Sequence, residues 1–277
     1  MLNTFYQRVR KRILRSHYRS AGSYPLQIEG RHFDCDGEHA RFWHRLEFGI
    51  WEPQTFRILS ELLTPESCYW DVGAWIGPTV LYASMHCQQV FAFEPDPVAY
   101  QFLQQNVTRN HLANVTLMPD AVAAETGTLK IGPRKDRAFG NSNSSLLWSD
   151  SPESVPVKAW TPQDLILNRL AKIPDVIKID IEGGEFGLVP EMQSFLQVHR
   201  PAVYLSLHAP WIEGTDRDRQ AAIEKVSEVF SNYPYCYDES LQLCSPRDIA
   251  ANKQTQTGFT AYVFSPRPLF QSRKRSA

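Results

Sequence analysis

The chain lacks the features of a membrane, secreted or nucleic-acid-binding protein. No apolar run approaches the roughly 20 residues that cross a bilayer, and the first 20 residues have no apolar centre of the secretory kind. Cysteine is scarce and odd in number: Cys35, Cys68, Cys87, Cys236 and Cys244 include no Cys-x-x-Cys pair. That argues against a bridged framework and against a thiolate zinc site, and a reducing, cytoplasmic setting is expected. An excess of charge of one sign is also missing. Lys and Arg total 29 against 30 Asp and Glu, a net charge of −1, so no global field draws the protein onto a phosphate backbone and nucleic acid is not an expected partner. The charge is unevenly spread: Arg8, Arg10, Lys11, Arg12, Arg15 and Arg19 precede the first acid, Glu29, and Arg273, Lys274 and Arg275 close the chain. Solvated basic ends are expected.

Apolar material is plentiful. With 277 residues, 43% hydrophobic and 21% charged, the chain can bury a large core, which excludes intrinsic disorder. A small N-terminal annex (1–48) is expected, with a basic helical stretch and then a hairpin over Leu26 to Cys35 that turns at Glu29-Gly30. From Trp51 a helix with Phe56, Leu59, Leu62 and Leu63 runs to Pro65, and strand and helix signals then alternate as a parallel sheet requires. Strands are predicted at Cys68–Val72, Val90–Glu94, Val115–Met118, Val176–Ile181 and Ala202–Leu207, with a late pair at Tyr233–Tyr237 and Phe259–Phe264. Helices are predicted at Thr79–Met85, Val98–Arg109 and about Arg217–Phe230, and one opens at the Thr161-Pro162-Gln163-Asp164 cap. Between the third and fourth strands, a hairpin around Thr128–Ile131, a polar loop at 140–145 and a strand near Val155–Lys158 are expected. The main unit runs from 49 to 266 and a basic tail from 267 to 277.

Three segments carry chemistry. In Asp71-Val72-Gly73-Ala74-Trp75-Ile76-Gly77 an acid ends a buried strand and two glycines form the turn into a helix, where a ligand can approach the backbone and unpaired N–H groups favour an anion. The spacing is not Gly-x-Gly-x-x-Gly. In Phe93-Glu94-Pro95-Asp96-Pro97 a carboxylate ends the next strand; an ionised Glu94 can accept both hydroxyl protons of a ribose, each charged hydrogen bond being worth roughly 1.5–3 kcal/mol. Asp96 is better suited to capping the following helix. In Lys178-Ile179-Asp180-Ile181-Glu182-Gly183-Gly184-Glu185 three carboxylates crowd the carboxyl end of the fourth strand, the edge where open α/β sheets bind ligands. Asp180 and Glu182 can raise each other's pKa and yield a general base, or hold a divalent metal through oxygen ligands. His208, at the end of the fifth strand, is a further candidate base, and it and Asp180 rank ahead of Glu182 for that role. Most tryptophans read as core; Trp148 and Trp211 suit an acceptor wall.

With these segments, and with Leu103, Asn106 and Ser144-Ser145-Leu146, the chain resembles the FkbM family of S-adenosylmethionine-dependent methyltransferases over roughly residues 50 to 265. The resemblance implies the α/β class I methyltransferase fold, a Rossmann-like, mostly parallel seven-stranded sheet with helices on both faces. It implies O-methylation of a hydroxyl on a small-molecule acceptor, a sugar or a natural product. It places Asp71, Gly73, Ala74 and Gly77 around the methionine half of S-adenosylmethionine, Glu94 and Pro95 at its ribose, Asp120 and Ala121 by its adenine, and Asp180 and Glu182 at the reaction centre. The chain departs from the family at Trp75, where many members have Asn, and over Lys158 to Pro162, where many read Thr-Leu-Asp-Asp. Two rival readings are a non-catalytic scaffold with the same fold and a nicotinamide-dependent oxidoreductase, which shares the glycine turn and the acid after the second strand.

Overall fold

The computed structural model describes residues 16–135 and 137–270. The basic residues Arg8, Arg10, Lys11, Arg12 and Arg15, and likewise Arg273, Lys274 and Arg275, lie outside the described residues. Residues 16–21 are helical and lead into an antiparallel hairpin, β1 (Ser23–Ile28) and β2 (Arg31–Asp36). Its two-residue turn has φ of 47° at Glu29 and 82° at Gly30, the mirror-image turn whose twist matches the strands it joins. Helix α1 (Ala40–Glu47) closes over the hairpin and buries Trp43.

This segment is not held by apolar contact alone. The buried Asp36 carboxylate accepts from Trp43 Nε1 and Asn106 Nδ2, each at 3.1 Å, and Asn106 Nδ2 also donates to Ile76 O at 3.0 Å. Asn106 thereby ties the hairpin to the glycine turn. Leu26, Phe33 and Trp43 share one apolar cluster with Leu59, Tyr69, Val80 and Leu103 from the main unit.

The chain continues through α2 (Pro53–Leu62), β3 (Cys68–Val72), α3 (Pro78–His86), β4 (Gln89–Phe93), α4 (Pro97–Arg109) and β5 (Val115–Met118). A side sheet follows, with β6 (Ala121–Val122), β7 (Gly127–Pro133), β8 (Ser144–Ser145) and β9 (Val155–Trp160). The main sheet resumes with α5 (Pro162–Leu167), β10 (Val176–Ile179), α6 (Glu185–Glu191), α7 (Gln193–His199), β11 (Ala202–Leu207), α8 (Asp216–Val229), β12 (Tyr235–Asp238) and β13 (Thr260–Ser265).

Seven strands lie in the order β12-β13-β11-β10-β3-β4-β5. Neighbours from β11 to β5 are parallel, and β13 is wedged antiparallel between β11 and β12. The strand residues alternate between two buried layers: Tyr69, Val90 and Ala92 face α2, α3 and α4, whereas Trp70, Phe91, Phe93 and Ile177 face α6, α7 and α8. That double burial is why these strands read as unbroken apolar runs. Strand order reverses at β3 and β10, and ligands of open α/β sheets sit outside the carboxyl ends there.

The expected hairpin around Thr128–Ile131 is absent. Residues 127–133 form one strand, and its antiparallel partner is β9, with Leu129 opposite Val157. The alternation seen in the sequence is that of a strand, and its pairing is long-range because Leu129 and Val157 need a shared apolar surface with Ala121 and Ala159. The fourth strand ends two residues earlier than expected, at Ile179, which leaves Asp180 and Ile181 in the loop above it.

Candidate active site

At the carboxyl end of β3 the chain turns through Gly73, with φ of 85°. A Cβ there would run into the carbonyl oxygen of Asp180, so glycine is what lets the turn after β3 press against the loop after β10. The amides of Gly73 and Ala74 both donate to Phe93 O, at 3.0 and 3.1 Å, and Gly77 N–H donates to Ala74 O at 2.9 Å. Those three amides are therefore spent, the first two on β4 and the third within the turn, and α3 begins with Pro78, which has no N–H to offer. The turn supplies shape.

Glu94 supplies the polarity. One oxygen accepts from Trp75 N–H at 2.7 Å and the other from Asp96 N–H at 2.8 Å, so the carboxylate is clamped by backbone while each oxygen keeps lone pairs for a further donor. Burial pushes its pKa up to about 8 against those two amides. Asp96 caps α4 through Val98 and Ala99 N–H, and its second oxygen accepts from Ser144 Oγ at 2.6 Å and Gly140 N–H at 2.8 Å. Ser145 Oγ donates to Ile181 O at 3.1 Å. The Ser144-Ser145 pair is thus a strap between the loop after β4 and the loop after β10. Trp75 adds a second tie, its Nε1 donating to Gly140 O at 3.0 Å while its ring meets Phe42 at 4.6 Å.

The other end of the site is a charge network. Buried Lys178 stands 3.0 Å from Asp180 and 3.8 Å from fully buried Asp71. Burial alone would discharge it, but Asp180 and Asp71 outweigh that and hold its pKa up. Burial pushes Asp71 upward, with Lys178 and the Thr79 hydroxyl opposing. Burial also works against the charge on Asp180, but Lys178 and His208 prevail and hold its pKa low. Glu182 goes the other way, raised by burial despite His208, and its Oε2 accepts from Trp211 Nε1 at 2.9 Å.

His208 joins these acids. Glu185, buried at the first position of α6, accepts from both the backbone N–H of His208, at 2.7 Å, and its Nδ1, at 3.1 Å. Nε2 then lies 3.6 Å from Asp180 and 3.8 Å from Glu182. Burial favours the neutral ring, but Glu185, Asp180 and Glu182 overcome it and lift the pKa to about 9. The imidazole is charged at neutral pH. Asp180, Glu182 and His208 each present a ligand atom within 4.8 Å of the others, the set able to hold a divalent cation, with Lys178 competing at Asp180.

A cavity of about 630 Å³ joins the two ends. Of the residues singled out in the sequence, Gly73, Ala74, Glu94, Pro95, Ala121, Asp180, Glu182 and His208 line it. Asp71, Gly77 and Asp120 do not: Asp71 faces Thr79 and Lys178, a Cβ on Gly77 would strike Leu103, and Asp120 accepts from Trp160 Nε1 at 2.8 Å. Trp148 and Trp211, the expected acceptor wall, do not line it either; Trp211 stands behind Glu182 and Phe259, which do. Sequence reasoning missed Glu185 as the partner of His208, although it sits in the quoted acidic segment. It also missed Glu52, Tyr204 and Ser206 on the cavity wall, which no local pattern marks.

A profile of the methyltransferase FkbM domain matches residues 71–233, more than half of the chain. The chain belongs to the FkbM family of S-adenosylmethionine-dependent methyltransferases. Hexuronic acid methyltransferase AglP of Haloferax volcanii is 28% identical over 173 residues, 59% of this chain and 69% of AglP. Methyltransferase FkbM from Methylobacillus flagellatus KT superposes with a TM-score of 0.46 at 16% identity, over 92% of this chain and 59% of that one. A putative methyltransferase from Streptococcus mutans in complex with SAH superposes with a TM-score of 0.42 at 12% identity, over 76% and 96% of the two chains. Among the described residues of this FkbM family member, no helix is long and apolar enough to cross a membrane.

Proposed function

We propose that the protein O-methylates a sugar hydroxyl, with residues 49–266 as the catalytic unit, 1–48 as an annex fastened to it and 267–277 as a basic tail. The observation that carries this reading is the meeting, in one cavity, of a backbone-clamped acid at one end and the Asp180–Glu182–His208 cluster at the other. When bound, S-adenosylmethionine supplies an electrophilic methyl on a sulfonium. The residues present fit that cofactor. Glu94, lifted to about 8 by burial, is an acid that needs further donors to ionise, and a ribose offers two hydroxyls. Gly73, Ala74 and Pro95 would flank it and Ala121 would meet the adenine, while Asp71, Gly77 and Asp120 would act from behind by fixing the turn and the loop.

At the reactive end this chain's own residues hold and deprotonate the acceptor. An aliphatic hydroxyl is a weak nucleophile, and a positioned base contributes on the order of 10²–10⁴-fold, while orientation of the partners can contribute roughly 7–11 kcal/mol. His208, charged at neutral pH, has no lone pair to spare, so the proton passes to a carboxylate. Glu182 is the better base of the two because burial raises it, whereas Lys178 holds Asp180 low. His208 orients both. The sugar preference is supported by the hexuronic acid named for AglP and by the aromatic group of Trp148, Trp211 and Phe259, with ring centroids 6.4 and 5.0 Å from Trp211.

The test is calorimetric titration of the purified protein with S-adenosylhomocysteine and, in parallel, NADH, followed by radiolabelled methyl transfer to a sugar panel. Binding of the former alone, with label moving to a sugar, is expected. Binding of NADH alone would restore the oxidoreductase reading, and binding of neither would restore the scaffold.

A further inference from the structure

The arginine ion pairs of the described residues run through Arg19, Arg109 and Arg219, and Arg134 is in none of them. Arg134 follows β7, where its backbone N–H donates to Asn143 O at 3.3 Å; Asn143 lines the cavity, so Arg134 stands at the rim. Its guanidinium carbon lies 4.0 Å from the ring centroid of Trp211. Trp211 is itself fixed, since its Nε1 donates to Glu182 and its ring meets Trp148 and Phe259. One indole therefore joins an unpaired cation to the acid at the reactive end.

A guanidinium laid on an indole has its face satisfied, and its N–H donors still project in its own plane as a fork that matches an oxyanion bidentately. Stacking also restricts the side chain before any ligand arrives, so less entropy is lost when those bonds form. Arg137, exposed on the wall of the same cavity, brings a second positive charge to that rim. Asp180, Glu182, Glu52 and Glu239 also line the wall; Lys178 and His208 are engaged by acids there and Arg45 stands elsewhere on it, so Arg134 and Arg137 are the cations on the Trp211 side. Because Trp211 bridges Arg134 and Glu182, an anion held by the fork would leave a neighbouring hydroxyl near Glu182.

We propose that the Arg134 fork on Trp211 reads an oxyanion on the acceptor, so that the substrate is an acidic sugar whose ring rests against Trp211 and Phe259. This rests on the methyltransferase reading of the same cavity. A carboxylate and a phosphate share the chemistry, and the test separates them.

The protein is saturated with S-adenosylhomocysteine and titrated with D-glucuronate, D-glucose 6-phosphate and D-glucose, following tryptophan fluorescence and heat. At least one anion is expected to bind about tenfold or more tightly than glucose, as a charged hydrogen bond requires. Glucuronate ahead of the phosphate assigns a carboxylate, and the reverse order a phosphoryl group. Arg134→Gln should erase the preference for the anion, and Arg134→Lys, which keeps the charge without the fork, should retain part of it. Both variants should bind S-adenosylhomocysteine as the unmodified protein does, which also shows that they fold. Equal binding of glucose and the anions, no binding of any anion, or a preference that survives in Arg134→Gln overturns the proposal. Loss of S-adenosylhomocysteine binding by the unmodified protein would instead overturn the methyltransferase reading.

Discussion

The two ends of the cavity hold their acids by opposite means. At β4, Glu94 is clamped by the N–H groups of Trp75 and Asp96, two donors fixed by the backbone within two residues of a strand or turn. At β10 and β11, Asp180 and Glu182 are held by side-chain charge, through Lys178 and His208. Both ends carry a raised pKa, but for contrasting reasons. Glu94 is raised to about 8 because burial outweighs its donors, whereas His208 is raised to about 9 because its acid partners outweigh burial. The first end is short of hydrogen-bond donors and the second is rich in charge. A neutral, hydroxyl-bearing ligand suits the former, and proton transfer suits the latter.

The comparison breaks most visibly if the reactive end loses an acid. Glu182→Gln and Asp180→Asn should each lower turnover by roughly 10²–10⁴-fold while S-adenosylhomocysteine affinity stays within about twofold, measured by single-turnover methyl transfer alongside calorimetry. Near-normal turnover in both would remove them from the chemistry.

The next effect is on stability. His208 titrates at about 9 in the folded protein against an ordinary 6.5, so its contribution is complete below about pH 6.5 and is lost as pH rises through about 9. The amount is about 3 kcal/mol. Urea unfolding of the unmodified protein at pH 6 and pH 9.5 should show that fall, and Glu185→Gln should lessen it, because the largest of the contributions that raise the His208 pKa is then lost while Asp180 and Glu182 remain. An unchanged slope in the variant would show that Glu185 does not hold the proton.

At the other end Glu94→Ala should weaken S-adenosylhomocysteine binding by more than about 1.5 kcal/mol. Because the ionised acid accepts both ribose hydroxyls more strongly than the protonated one, affinity in the unmodified protein should also rise as pH passes about 8, and the variant should lack that rise. The smallest effect belongs to the wall. Trp211→Ala should raise the acceptor KM by a factor of about five to ten, the worth of about 1 kcal/mol of ring contact, and leave cofactor Kd unchanged.

Legibility followed locality. The parallel strands β3 and β11 match the sequence reading because strands buried on both faces are continuous apolar runs. The turn at Glu29-Gly30 was legible because two residues must take positive φ there. The strand at residues 127–133 was misread as a hairpin because alternation states a strand's period but not its partner, and β9 lies beyond the polar loop. At the site, Glu94, Asp180 and Glu182 were visible at strand ends. The charge on His208 was not legible, because its pKa depends on Glu185, on a different element. Glu52 and Tyr204 had no signal at all; they reach the cavity only because α2 and β11 pack together, with Thr55 and the Tyr204 hydroxyl 2.9 Å apart.

By itself the sequence determined the alternation of strands and helices, the glycine turn and which strand ends carry acids, since each depends on residues within a few positions of one another. Only the tertiary structure decided where β13 sits, that Asn106 fastens the N-terminal hairpin to the glycine turn, that Glu185 charges His208 and that Arg134 rests on Trp211. Those contacts join residues far apart in the chain, and their energies exist only once burial has removed water from between them.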